Sequence, residues 1–248
     1  MSVSNDFVEK MEEFKRPTRE MLVSLGDPGC KPITKISGVP WWPEGIKRPT
    51  CSKGHLMSFM GQFLLSDVPG FESHVDSLVS FHYCQECSYE GNMSWGWEDG
   101  ENMSGYDISI LTSVSSKKAD NLGAVAKVVI EPHSVALREA MEVPGVCDML
   151  DICPDVPEEY PQDEDDFDEN VYPGLVHVSK RKLGGWPSWV QDACPPETTD
   201  NEQLHFLGQL DWWLCEDATW ASGGYAYLFI ISSKDCNILR VERALQTT

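Results

Sequence analysis

The sequence predicts an α+β fold that is β-rich and internally duplicated into two similar halves, the first of them zinc-stabilised. Three observations predict it. The stretch Lys35–Phe63 recurs without a gap as Lys182–Leu210, every match lying 147 positions apart. Short apolar runs bounded by Gly and Pro dominate the chain, as expected of strands. Cys51-x3-His55 stands 28 residues before Cys84-x2-Cys87, a pairing suited to a tetrahedral metal ion. The expected division is a first half over 1–142, an acidic connector over 143–175 and a second half over 176–248.

The repeat is specific because rare residues carry it. Gly38, Pro40 and Trp42 match Gly185, Pro187 and Trp189, while Phe59, Gly61 and Gln62 match Phe206, Gly208 and Gln209. Such self-similarity at fixed offset is sought first, because it decides the architecture. The Gly-x-Pro-x-Trp piece is too rich in Gly and Pro for a helix or a central strand, so it reads as a rigid packed turn. Trp42 and Trp189 are expected as equivalent core anchors, each indole N–H needing an acceptor. Gln62 and Gln209 fall inside apolar runs. A buried amide left unpaired costs about 1–3 kcal/mol, so each is expected to bond a neighbouring turn in a structural role.

In chain order, Phe7, Val8, Met11 and Phe14 recur at helical spacing over Asp6–Lys15, which Asn5 or Asp6 caps and Pro17 ends. Met21–Leu25 fits either a strand or a helical turn. Gly26, Pro28 and Gly29 make a turn. Leu56–Leu65 and Leu78–Cys84 read as strands, as do Ile108–Val114 and Ala124–Glu131, and Val135–Glu142 as a short helix. Leu204–Leu210 and Gly224–Ser232 are strands of the second half. Trp95 and Trp97 lie in a turn-rich segment, and Trp212, Trp213 and Trp220 in a Gly-punctuated loop.

Composition narrows the function. The start has no basic segment followed by an apolar one, and no run reaches the ~18 apolar residues of a membrane helix, so a cytoplasmic location is expected. Nine cysteines then point to thiols or metal ligands rather than disulfides. The net charge is −21, and 13 of the 40 acids lie between Arg138 and Lys180, where there is no Lys or Arg. Such a chain repels nucleic acid and draws in basic protein surfaces. The densest part is Asp163, Glu164, Asp165, Asp166, Phe167, Asp168 and Glu169, too polar to order itself through burial. With Trp95, Trp97, Trp212 and Trp213 these residues are the candidate partner-binding set.

Cys51, His55, Cys84 and Cys87 are the candidate ligands of a structural zinc ion, with His82 as the alternative to His55. In the copy, Thr198 stands for Cys51 and Glu202 for His55, so the second half lacks the first ligand pair. That favours a structural over a catalytic ion. No catalytic residues are assigned: there is no nucleophile elbow, phosphate loop, His-Glu-x-x-His or dinucleotide fingerprint.

At Gly-x-Pro-x-Trp, Cys-x3-His, Met-x-Phe-x-Gly-Gln and Phe-x-Tyr-Cys-x2-Cys the chain resembles the YwqG-like family, a bacterial domain of unknown function, from about Arg16 to the end. It is more distantly similar to the programmed cell death 2 proteins, whose Gly-Gly-x-Pro-x-Trp stretch precedes a Cys-x2-Cys pair. Here Ser37 replaces the first of those glycines, and Gly54 falls where the second cysteine would be. The resemblance implies a duplicated β-rich fold and a non-enzymatic, toxin-associated immunity protein that binds its target directly. Two alternatives accompany it: a chaperone dedicated to a basic, ribosomal-type client, and a hydrolase that reverses a toxin's modification.

Overall fold

The structure is a computed structural model, and it describes residues 12–89, 106–119, 130–145, 181–211 and 224–246. These residues form ten strands: β1 (Arg16–Leu25), β2 (Lys35–Ile36), β3 (Ser58–Leu64), β4 (Ser77–Tyr83), β5 (Tyr106–Thr112), β6 (His133–Glu142), β7 (Lys182–Gly184), β8 (Glu202–Asp211), β9 (Tyr225–Ser233) and β10 (Ile238–Gln246). They build one antiparallel sheet in the order β10-β9-β8-β7-β1-β6-β2-β3-β4-β5. The sheet curls until its two outer strands meet: the Arg243 guanidinium of β10 lies 3.9 Å from the centre of the Tyr106 ring of β5. The result is nearly closed and barrel-like.

The expected α+β class is therefore overturned. Among the described residues helix is confined to Glu12–Glu13, a 3-10 turn at Leu65–Asp67 and the single turn α1 (Gln85–Tyr89). Val135–Glu142, read as a helix, is most of β6. Its Ala, Leu, Arg, Glu and Met favour helix intrinsically, but β1 pairs with every residue of β6, and β2 with His133 and Ser134 at its start. Tertiary pairing outweighs a propensity of a few tenths of a kcal/mol per residue. Met21–Leu25, open between strand and helix, belongs to β1. Residues 6–11 of the expected first helix, and 124–129 of an expected strand, lie outside the described residues.

The duplication is visible in the hydrogen-bond registers. Lys35 pairs with Gln62 and Ile36 with Gly61, and in the copy Lys182 pairs with Gln209 and Leu183 with Gly208. The next ladder repeats as well, including its irregularity. Phe59 faces His82 and Gly61 faces Phe81 across a bulge, as Phe206 faces Phe229 and Gly208 faces Leu228. One residue of slip would turn every side chain to the other face of a sheet. Shared registers, bulge included, therefore mean that the same side chains point the same way in both copies.

The inner face holds the main core, with Met60, Phe63, Phe81 and Tyr83 from one copy and Leu207, Leu210, Leu228 and Ile230 from the other. Each Gly-x-Pro-x-Trp turn covers the outer face of its own copy. Trp41 and Trp42 pack on Leu78 and Leu111, and Trp189 packs on Tyr227 and Phe229. The Trp42 indole finds its acceptor in the Ile46 carbonyl at 2.9 Å. The amides of the expected glutamines hold these turns down. Gln62 Oε1 accepts the Trp41 N–H at 2.9 Å, and its Nε2 donates to the Lys31 and Ile33 carbonyls at 2.8 and 2.7 Å. Gln209 Oε1 accepts the N–H of Ser188, the counterpart of Trp41, at 2.8 Å.

Gly38 and Gly185 both take φ +75°, and a Cβ would lie 2.6 Å from Pro132 Cβ in one and 2.9 Å from Thr18 Cβ in the other. A side chain would collide with Pro132 at the first position and with Thr18 and Glu142 at the second. Before them, Ser37 holds the left-handed φ of 51° that Gly184 takes at 68°. Its hydroxyl donates to the Glu131 carbonyl, a local contact that supports the unfavourable conformation.

Candidate metal centre

Residues Pro49 to Met57 form a tight hairpin. Thr50 bridges Leu56, the Cys51 N–H donates to the His55 carbonyl at 3.0 Å, and the Gly54 N–H donates to the Cys51 carbonyl at 2.8 Å. Gly54 turns the chain at φ +82°. This turn brings Cys51 and His55 onto one side. From the other direction β4 ends at Cys84, and α1 follows at once, so its single turn returns Cys87 to the face of Cys84.

The four side chains converge. Their candidate donor atoms all lie within 4.8 Å of one another. The Cys51 and Cys87 sulfurs are 3.7 Å apart, and His55 Nδ1 lies 3.8 Å from the Cys84 sulfur and 3.7 Å from that of Cys87. A tetrahedral zinc ion, with bonds of about 2.3 Å to sulfur and about 2.0 Å to nitrogen, needs edges of about 3.5–3.8 Å. Three of the six separations have this length and all six lie within 4.8 Å, so the set could hold a metal ion.

Burial sets the thiol chemistry. It pushes Cys84 up to about 12 and raises Cys87 as well. For Cys51 burial also acts upward, but the amide N–H groups of His55 and Lys53 outweigh it and bring the thiol below its ordinary value. Burial thus favours the protonated thiols of Cys84 and Cys87, and a divalent ion would deprotonate them. Cys51, Cys84 and Cys87 are all buried. With His55 they would complete a four-coordinate shell and leave no open position, which is the arrangement of a structural site rather than a catalytic one.

His82, the alternative ligand, is outside this group. It is buried on the outer face of β4, edge-on to Trp42 at 5.3 Å and tilted against Phe59 at 5.5 Å. Its counterpart Phe229 packs against Trp189 at 6.0 Å and Phe206 at 5.5 Å. His82 therefore occupies an aromatic core position. Burial lowers its pKa to about 3, with the nearby Arg48 charge acting the same way, and neither ring nitrogen has a hydrogen-bond partner.

The second copy replaces the whole centre. Thr198 and Glu202 stand for Cys51 and His55, and the matching β4 and β9 registers place Ile231 and Lys234 at Cys84 and Cys87. Glu202 instead pairs with Arg240 of β10 and accepts the Thr199 N–H at 3.0 Å. The loop after β9 needs only residues 234–237, whereas 84–105 separate β4 from β5.

Two buried features had no marker beyond the repeat. Lys35 and Lys182 are identical and fully buried. Lys35 donates to the Gly29 and Val39 carbonyls, and burial lowers its pKa to about 8. Lys182 instead pairs with Glu142, whose other oxygen accepts the Trp186 N–H at 3.1 Å, and also reaches Ser188 Oγ at 2.8 Å. A lysine in a run such as Lys180-Arg181-Lys182 gives no sign in the sequence that it is buried.

The candidate partner-binding residues Trp95, Trp97, Asp163–Glu169, Trp212 and Trp213 lie outside the described residues. Among the described residues no helix is long and apolar enough to cross a membrane. Comparison with known proteins gives one family: the model of a domain of unknown function, DUF1963, matches residues 34–247. No curated protein matches.

Proposed function

We propose, from the premise that the chain belongs to the DUF1963 family, that it is a non-enzymatic protein-binding module whose first copy is held by a structural zinc ion. Its role in this reading is that of a cytoplasmic immunity protein which neutralises a basic toxin by direct binding, as its YwqG-like character suggests. The observation that carries the binding reading is the charge: 13 acids and no Lys or Arg fall between Arg138 and Lys180. A field of one sign steers an oppositely charged partner and speeds association. The closed four-ligand arrangement supports a scaffold role for the metal, since a catalytic ion keeps a position open for water or substrate.

Asp163, Glu164, Asp165, Asp166, Asp168 and Glu169 supply the steering in this reading, and Phe167, Trp95, Trp97, Trp212 and Trp213 the apolar anchors. Co-expression with the toxin encoded beside it tests the proposal. The expected result is rescue of growth and a 1:1 complex. Replacing the six acids by amides should slow association at least tenfold and flatten its dependence on salt. Growth arrest despite co-expression, with no complex, contradicts the proposal. Recovery of a ribosomal protein instead of a toxin would favour the chaperone.

A further inference from the structure

Strands β1 and β6 are related in the way the two copies are. In β1, Glu20 faces Lys182 and Arg19 faces Leu183. In β6, Ser134 faces Lys35 and His133 faces Ile36. Since Lys35 and Ile36 are the counterparts of Lys182 and Leu183, each β1 residue corresponds to the β6 residue 114 positions on. The crossing glycines agree: Gly185 crowds Thr18 as Gly38 crowds Pro132, also 114 positions on. The antiparallel β1–β6 ladder pairs Leu22 with Ala136, again 114 apart, so a two-fold axis passes between these two residues.

We infer that the chain consists of two five-strand repeats, β1–β5 and β6–β10, which exchange their first strands, and that residues 146–178 are an insertion the fold does not need. β1 of the first repeat completes the ladder beside β7, and β6 of the second completes the ladder beside β2. The repeats then differ mainly in the link between their first two strands. From Leu25 to Lys35 the chain uses nine residues, 26–34. Between the equivalent points, Glu139 and Lys182, it uses 42, a surplus of 33. Both links meet the buried lysine that follows them: Lys35 bonds Gly29 O of its link, and Lys182 bonds Glu142, which stands where Pro28 stands in the first. Deleting 146–178 leaves residues 140–145 and 179–181, the nine that the first repeat shows to be enough.

The inference places the acidic stretch outside the requirements of the fold. Its functional meaning rests on the proposed role of residues 163–169, but its structural content does not. The test is the full chain without 146–178, with a second variant carrying a nine-residue Gly/Ser link in place of those residues. Both are expected to fold, with a melting temperature within about 4 °C of the intact chain, and to lose neutralisation of the partner. Unfolded protein from both variants overturns the insertion. A folded variant that still neutralises leaves the insertion standing and contradicts the role given to 163–169. The strand exchange is read separately, on the intact chain given a protease site between β5 and β6, within 120–129, and cut after folding. Each fragment then lacks the first strand of one half-sheet, so the cut protein is expected to migrate as one species and melt in one transition. Fragments that separate on gel filtration overturn the exchange.

Discussion

Arg240 grips Glu202 where the first copy has His55. Both residues close the same corner, in which the turn before the third strand of a repeat meets the segment beyond the fourth. In the first copy that corner gathers three sulfurs and an imidazole, and in the second it holds an ion pair beside a four-residue turn. The copies thus share a backbone and fasten it by different chemistry. The longer excursion, 84–105, falls in the copy with the candidate metal centre.

Loss of one sulfur should therefore affect the first copy and spare the second. Cys84→Ser is expected to lower stability by about 3 kcal/mol or more, because the ion that folds with the site is lost with it. A chelator should reproduce the effect on the unaltered protein and add nothing to the variant. Chemical denaturation with and without chelator reads both. A variant as stable as the parent, in either condition, counts against a structural ion.

The ion pair in the second copy predicts a pH effect. The hydrogen bonds from Arg240, and then the Thr199 N–H, hold the Glu202 carboxyl down at about 2, below its ordinary value of 4.5. A folded-state pKa below the unfolded one stabilises the protein above pH 4.5, and that contribution fades as the pH falls toward 2. Glu202→Gln should remove this part of the acid dependence without changing stability's dependence on chelator. Denaturant midpoints between pH 2 and pH 6 give the comparison. Identical pH profiles for variant and parent would show that the pair is inert.

His82 offers the opposite case. Phe229 shows that its position accepts a phenyl ring between a tryptophan and a phenylalanine, and both His82 nitrogens are buried without partners. His82→Phe should keep the packing and remove two unsatisfied groups, stabilising the protein by about 1–3 kcal/mol. Metal content should stay unchanged, since His82 lies outside the ligand group. A destabilised variant, or one depleted of metal, would contradict this placement.

The Lys182–Glu142 pair is buried on both sides. Truncating either partner, as in Glu142→Leu, leaves a lone charge and should cost about 3–5 kcal/mol. The double variant Lys182→Met with Glu142→Leu should recover much of that loss. Thermal unfolding of the three proteins forms the cycle, and additive losses would mean that the two side chains act independently.

The sequence carried the repeat and the candidate metal ligands plainly, because both depend on residues with few substitutes. Gly38 and Gly185 have no room for a side chain, and a tetrahedral ion takes Cys and His donors only at spacings that bring them together. It carried β6 poorly. Residues such as Ala136, Leu137, Arg138 and Glu139 suit a helix, and their strand state comes from β1 partners 114 to 120 positions away in the chain. For the same reason the exchange of first strands had no local signature: β1 and β6 share almost no residues, only their places in the ladders. Lys35 and Lys182 were visible as a match, but Gly29 and Glu142, whose oxygens help to satisfy them, lie outside the repeat.

Elemental analysis of the purified full chain separates a metal-fastened scaffold from a set of ordinary thiols. About one zinc ion per chain is expected, lost in the Cys84→Ser and Cys87→Ser proteins and retained in His82→Phe. A folded chain purified without chelator and containing no metal would contradict the metal-fastened scaffold.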